Sequence, residues 1–154
     1  MRKLELRIPP LLLTACCAGL IISLHYFLPY LNFRTNVLFR IFAKTTMIIG
    51  FAGMACAALQ FRWQNTTLDP RQPDKTRRMV CSGLFAYSRN PMYLGMAVLL
   101  AGLALWGANL IGFFLLPGFV IYLNEFQIKP EERILLQMFG APYMDYMTRV
   151  RRWL

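Results

Sequence analysis

From Asn90 to Asn124 the chain carries no charged side chain. This uncharged stretch is 35 residues long and constrains the fold more than any other feature. As one helix it would run roughly 52 Å at about 1.5 Å per residue, against a bilayer hydrocarbon core of about 30 Å. It must therefore fold back, and Trp106-Gly107-Ala108-Asn109 is the natural turn. Two more apolar runs precede it, from Pro9 to Leu31 and from Thr45 to Phe61. Each reaches the length a membrane-spanning helix needs, with about 17 residues as the lower end.

These runs predict an all-α, polytopic membrane protein. Four transmembrane helices are expected at about 9–31, 45–61, 91–106 and 108–124, the last two forming a tight helical hairpin. Arg40 and Lys44 stand on the approach to the second span, four residues apart and so on one face. A chain of 154 residues that is 57% hydrophobic, with a mean hydropathy of +0.43, fits this class and a single domain. Met1-Arg2-Lys3 and Leu13-Thr14-Ala15-Cys16 resemble parts of a cleaved leader. However, Pro9-Pro10 interrupts its would-be apolar core, so an uncleaved first span is expected.

The formal net charge of +10 raises the question of a nucleic-acid partner. Its distribution argues against one, because the basic residues follow membrane topology instead of forming a stripe. Most of the seventeen lie before the first span, between the second and third, or after the fourth. The positive-inside rule makes that face cytoplasmic, with both termini on it, and a bacterial inner (plasma) membrane is the expected location. Cys16, Cys17, Cys56 and Cys81 have neither disulfide-framework nor metal-ligand spacing and read as reduced structural residues. No metal site is expected.

The cytoplasmic face also carries the candidate chemistry. Ser88-Arg89-Asn90-Pro91 opens the third span. Asn suits a helix cap and Pro the first helical position. The helix N-terminus and Arg89 together make a site for a carboxylate or phosphate, and the same groups would also grip lipid headgroups. After the last span comes Lys129-Pro130-Glu131-Glu132, followed by Gly140 as a stop and Pro142 as a second start. Residues 130–150 thus predict interfacial helices packed against the loop of residues 62–90. Glu131 and Glu132 either hold a cationic group or simply favour the helix dipole. Gly95 and Gly102 share a helix face and permit close helix approach. Tyr87 and Tyr93 can stack on a flat ring. His25 lies in the outer half of the first span and reads as a packing residue.

Several ordered pieces carry a resemblance. They are Thr66-Thr67-Leu68-Asp69-Pro70, Ser82-Gly83-Leu84-Phe85, Ser88 through Gly95, Glu131-Glu132, Phe139-Gly140-Ala141-Pro142-Tyr143, and Arg152-Trp153. In order and spacing they resemble the isoprenylcysteine carboxyl methyltransferase family, within the wider group that includes bacterial phospholipid methyltransferases. The resemblance covers roughly residues 60–154. It implies an integral membrane enzyme moving a methyl group from S-adenosylmethionine to a lipophilic small-molecule acceptor, a carboxylate or an amine.

It also implies a cytoplasm-facing pocket. Arg89, Asn90, Pro91, Tyr93, Leu94 and Gly95 would form one wall and Glu131 and Glu132 the other, with Glu132 against the cofactor's ammonium and Tyr87 a further cofactor-binding candidate. Tyr143, Tyr146 and Arg149 would close it. Arg89, Glu132 and Arg149 are the expected catalytic groups. One departure is Asn90, where eukaryotic members often have His, because Asn takes no proton near neutral pH. The competing expectations are a non-catalytic membrane module that binds headgroups or a partner, and an NADPH-dependent reductase.

Overall fold

A computed structural model describes residues 5–63 and 79–154. Among these residues the chain is helical and contains no strand. Helix α1 (Pro10–Phe27) starts on the Pro9-Pro10 pair, as expected, but ends earlier than Leu31. Pro29 cannot donate an N–H and forces a separate 3-10 turn at Pro29–Leu31. Helix α2 (Val37–Trp63) is longer than the apolar run that announced it. Asn36 accepts from Phe39 N at 2.8 Å and starts the helix well before Thr45. Arg40 and Lys44 therefore sit within α2 rather than on its approach.

Helix α3 (Pro91–Gly107) and helix α4 (Leu110–Leu123) meet at the predicted turn. The left-handed residue there is Ala108, with φ of +48°, and Asn109 caps α4 by accepting from Ile111 N. Helix α4 does not stop at Asn124. It passes through a π-helical turn, Asn124–Ile128, straight into helix α5 (Lys129–Phe139). The separate interfacial helix expected from residue 130 is therefore the end of one helical rod, Leu110–Phe139. Gly140 breaks it with φ of +57°, and helix α6 (Ala141–Arg149) follows.

Among the described residues, three helices are long and apolar enough to cross a membrane: Pro10–Phe27, Val37–Trp63 and Leu110–Phe139. Helix α3 is a shorter apolar helix of 17 residues. It packs between α1 and α2 and also touches α4. The central core joins Ile21, Met96, Leu100, Leu103, Phe119, Leu123 and Ile128. Large side chains such as Leu38, Phe42, Ile48, Phe51, Phe114 and Ile121 face outward. An exterior this apolar suits lipid, because water would penalise so large an exposed patch.

Two polar networks hold the ends. At one, His25 Nδ1 donates to Gly107 O at 2.7 Å. Beside it the buried Asn109 amide donates to Leu24 O, Leu28 O and Asn32 Oδ1. At the other, Gln60 at the end of α2 donates to Ser82 O and accepts from Leu84 N, clamping the Gly83 turn. Glu5 and Arg133 pair, and Gln127 Nε2 donates to Ile8 O, so residues 5–8 are tied to the α4–α5 rod. The Thr66–Pro70 piece and several loop cations fall outside the described residues.

Candidate active site

The second polar end encloses a cavity of about 300 Å³. This lies at the lower end of ligand pockets, which span about 300–1,000 Å³. The start of α3, α5, α6, the residue 79–90 segment, the first residues of α1 and the end of α2 all contribute to it. Arg89, Asn90, Pro91, Tyr93, Glu131, Glu132, Tyr143 and Tyr146 line it, so the two expected walls do meet. Its remaining lining is apolar, with Pro10, Leu11, Phe61, Met92, Met96, Leu135 and Phe139 among it.

The ion cluster has a definite wiring. Arg152 takes Glu132 with both arms of its fork, Nε to Oε1 at 3.0 Å and Nη2 to Oε2 at 2.7 Å. Arg89 Nη1 lies 3.0 Å from the same Oε1 as an ion pair. The side chains of Arg89 and Glu132 are 10% and 11% exposed, so little water screens them. Yet Arg89 Nε and Nη1 are buried with no hydrogen-bond partner among the described residues. Nη1 is close enough to Glu132 for attraction but misaligned for a hydrogen bond. Buried guanidinium N–H groups without acceptors are costly in a resting fold, and an arriving anion would satisfy them.

Glu132, expected to meet a cofactor ammonium, is therefore held by two guanidinium groups. Glu131 instead accepts from Tyr93 Oη at 2.6 Å. Tyr146 Oη donates to Phe85 O at 2.7 Å and pins α6 to the segment before α3. Burial, and next the charge of Glu132, push the Tyr143 phenol up to about 12, with the Arg89 guanidinium pulling the other way. Burial likewise raises the Tyr146 phenol and the Cys81 thiol.

Four expected residues lie elsewhere. Arg149 points outward and pairs with Asp145 at 2.6 Å, both side chains about two-thirds exposed at 66% and 65%. The cause is local, since these residues stand four apart on an exposed helix face. Tyr87, Leu94 and Gly95 line a separate apolar groove beside α2. Tyr87 is largely exposed. Gly95 faces α2 so closely that an added Cβ would stand 2.6 Å from Met54 N.

Asn90 also departs from expectation. It opens α3, but its side chain makes no cap; Nδ2 donates to Arg152 O at 3.0 Å instead. The first-turn N–H groups of α3 thus keep no side-chain cap at the cavity. Sequence reasoning missed Arg152 as a site residue. Its membership of the Arg152-Trp153 piece of the resemblance was the available signal.

The profile described as phospholipid methyltransferase matches residues 38–142, which spans α2 through the start of α6. An uncharacterized protein of Haemophilus influenzae is 38% identical over 63 residues, covering 41% of this chain and 100% of that protein. No solved structure matches.

Proposed function

The chain belongs to the phospholipid methyltransferase family, and on that premise we propose that it transfers a methyl group from S-adenosylmethionine to a lipophilic acceptor at the cytoplasmic membrane face. The proposed topology has four spans, with α3 as the short third one, hairpinned to α4, and both termini inside. At about 1.5 Å per residue its 17 residues cover roughly 26 Å, near the hydrocarbon thickness. The observation that carries the reading is Arg89, a buried guanidinium with unused donors at a cavity of ligand size.

The residues present fit the cofactor. Bound there, S-adenosylmethionine would supply a methyl group on a positively charged sulfur, together with a carboxylate and an ammonium. Arg89 and the uncapped N-terminus of α3 suit the carboxylate. Glu131, oriented by Tyr93, suits the ammonium, while Glu132 holds Arg89 in place. Met92, Met96, Phe61 and Leu11 give the acceptor's tail an apolar wall and keep water away. An in-line displacement gains mainly from such positioning. A carboxylate acceptor needs no base. An amine acceptor must first lose a proton, and Glu131 is the carboxylate placed to take it.

Protein purified into nanodiscs and titrated calorimetrically with S-adenosylhomocysteine tests the first half. Binding is expected, and Arg89→Ala should weaken it roughly 10- to 100-fold, the loss of a charge-assisted hydrogen bond worth about 1.5–3 kcal/mol. Absence of heat with well-folded wild-type protein overturns the reading; anionic vesicles bound by that same protein would favour a headgroup-binding module. Incubation with methyl-labelled S-adenosylmethionine and total lipid extract then identifies the acceptor by the species that gains label.

A further inference from the structure

The C-terminal strap Val150–Trp153 runs beside the start of α3 and is hydrogen-bonded to it and to the π-helical turn. Arg89 N donates to Arg151 O at 3.0 Å, and Asn90 Nδ2 donates to Arg152 O at 3.0 Å. Trp153 Nε1 donates to Asn124 Oδ1 at 3.1 Å and packs against the core. These bonds fix the backbone of Arg152, so its side chain meets Glu132 at a set angle. The fork then occupies both carboxylate oxygens, leaving Arg89 beside Oε1 without an aligned hydrogen bond.

We propose that Arg152 is a positioning residue that keeps Arg89 available to ligand by taking the bidentate seat on Glu132. The inference rests on the cofactor reading above and extends it to a residue that does not line the cavity. Two guanidinium groups compete for one carboxylate, and the planar two-bond arrangement is the preferred one. Arg152 holds that arrangement. With Arg152 removed, Arg89 turns its own fork onto Glu132, and its Nε and Nη1 are no longer free to meet an anionic ligand. Hydrogen bonding to Glu132 also strengthens the hold of Arg152 on its proton, as expected for the partner making the aligned contact.

Two probes separate this role from a merely structural one. S-adenosylhomocysteine carries the amino-acid carboxylate; its decarboxylated analogue, S-adenosyl-3-thiopropylamine, keeps the ammonium and lacks only that group. Calorimetry on the full chain in nanodiscs should show Arg152→Ala weakening S-adenosylhomocysteine at least tenfold while shifting the analogue less than twofold. Arg152→Lys keeps the charge but cannot span both oxygens, so it should weaken the first probe several-fold with the same selectivity. It decides the matter if the alanine variant does not fold. Parallel loss of both probes, or wild-type affinity for S-adenosylhomocysteine in the folded variants, overturns the proposal and leaves the cofactor site standing. Wild-type protein that binds neither probe overturns the cofactor reading and this inference with it.

Discussion

Burial and the charge of Glu132 hold the Tyr143 phenol at about 12, against an ordinary 10.0. The folded chain therefore keeps this proton more tightly than the unfolded chain does. The stability it contributes is complete below pH 10 and is lost as pH rises through about 12. Melting temperatures in nanodiscs should fall across that window, and Tyr143→Phe should flatten part of the fall; identical alkaline slopes would remove Tyr143 as the source. Glu132 matters in a different way. Glu132→Ala strips the countercharge from the buried Arg89 and from Arg152. Breaking such a pair costs about 3 kcal/mol, which a lowered unfolding midpoint in denaturant would show and an unchanged midpoint would refute. Arg89, Glu131 and Glu132 were legible in the sequence because charges bordering apolar runs stand out. The partners of Glu132 were not, since Arg152 reaches it through a fold that no local period encodes.

Helices α2 and α3 form the tightest element contact. A Cβ on Gly50 would stand 2.3 Å from Leu99 N, and one on Gly102 would stand 2.5 Å from Met47 N. Both obstacles are backbone, so the helices would have to separate. Gly50→Ala should cost about 3 kcal/mol, at the upper end of overpacking. Gly53, one turn on, meets nothing within 4 Å. Gly53→Ala should therefore gain about 1 kcal/mol from helix propensity. Paired melts of the two variants check the contrast, and equal effects would mean the helices are not closely seated.

The close face of Gly95 and Gly102 was readable from spacing, but its partner was not. The expectation that Gly95 meets a cofactor gives way to α2, whose Gly50 supplies the matching gap. Element ends were read less well than element existence. Pro29 cut α1 short, Asn36 extended α2 past its charged residues, and the π-helical turn erased the break before Lys129. In the first two cases a single breaking or capping residue outweighed the hydropathy run.

At the scale of the molecule, two polar ends flank an apolar middle. One end carries the guanidinium–carboxylate cluster, the other the Asn109 and His25 network. The proposed topology places the first inside and the second outside. In a cysteine-free background, an impermeant thiol reagent on intact cells should label Tyr30→Cys and spare Leu154→Cys, both exposed positions. Labelling of Leu154→Cys alone would invert the topology.

The sequence by itself determined that the chain is helical and apolar, that its long uncharged stretch must turn near Ala108, and that it carries family motifs around Arg89 and Glu132. Those properties follow from composition and short-range order. Only the tertiary structure decided that Asn90 serves the strap instead of the helix, and that Arg152 takes the carboxylate Arg89 stands beside. Hydrogen bonds between distant segments depend on how helices close in space, and a charge in the sequence does not say which opposite charge it will face.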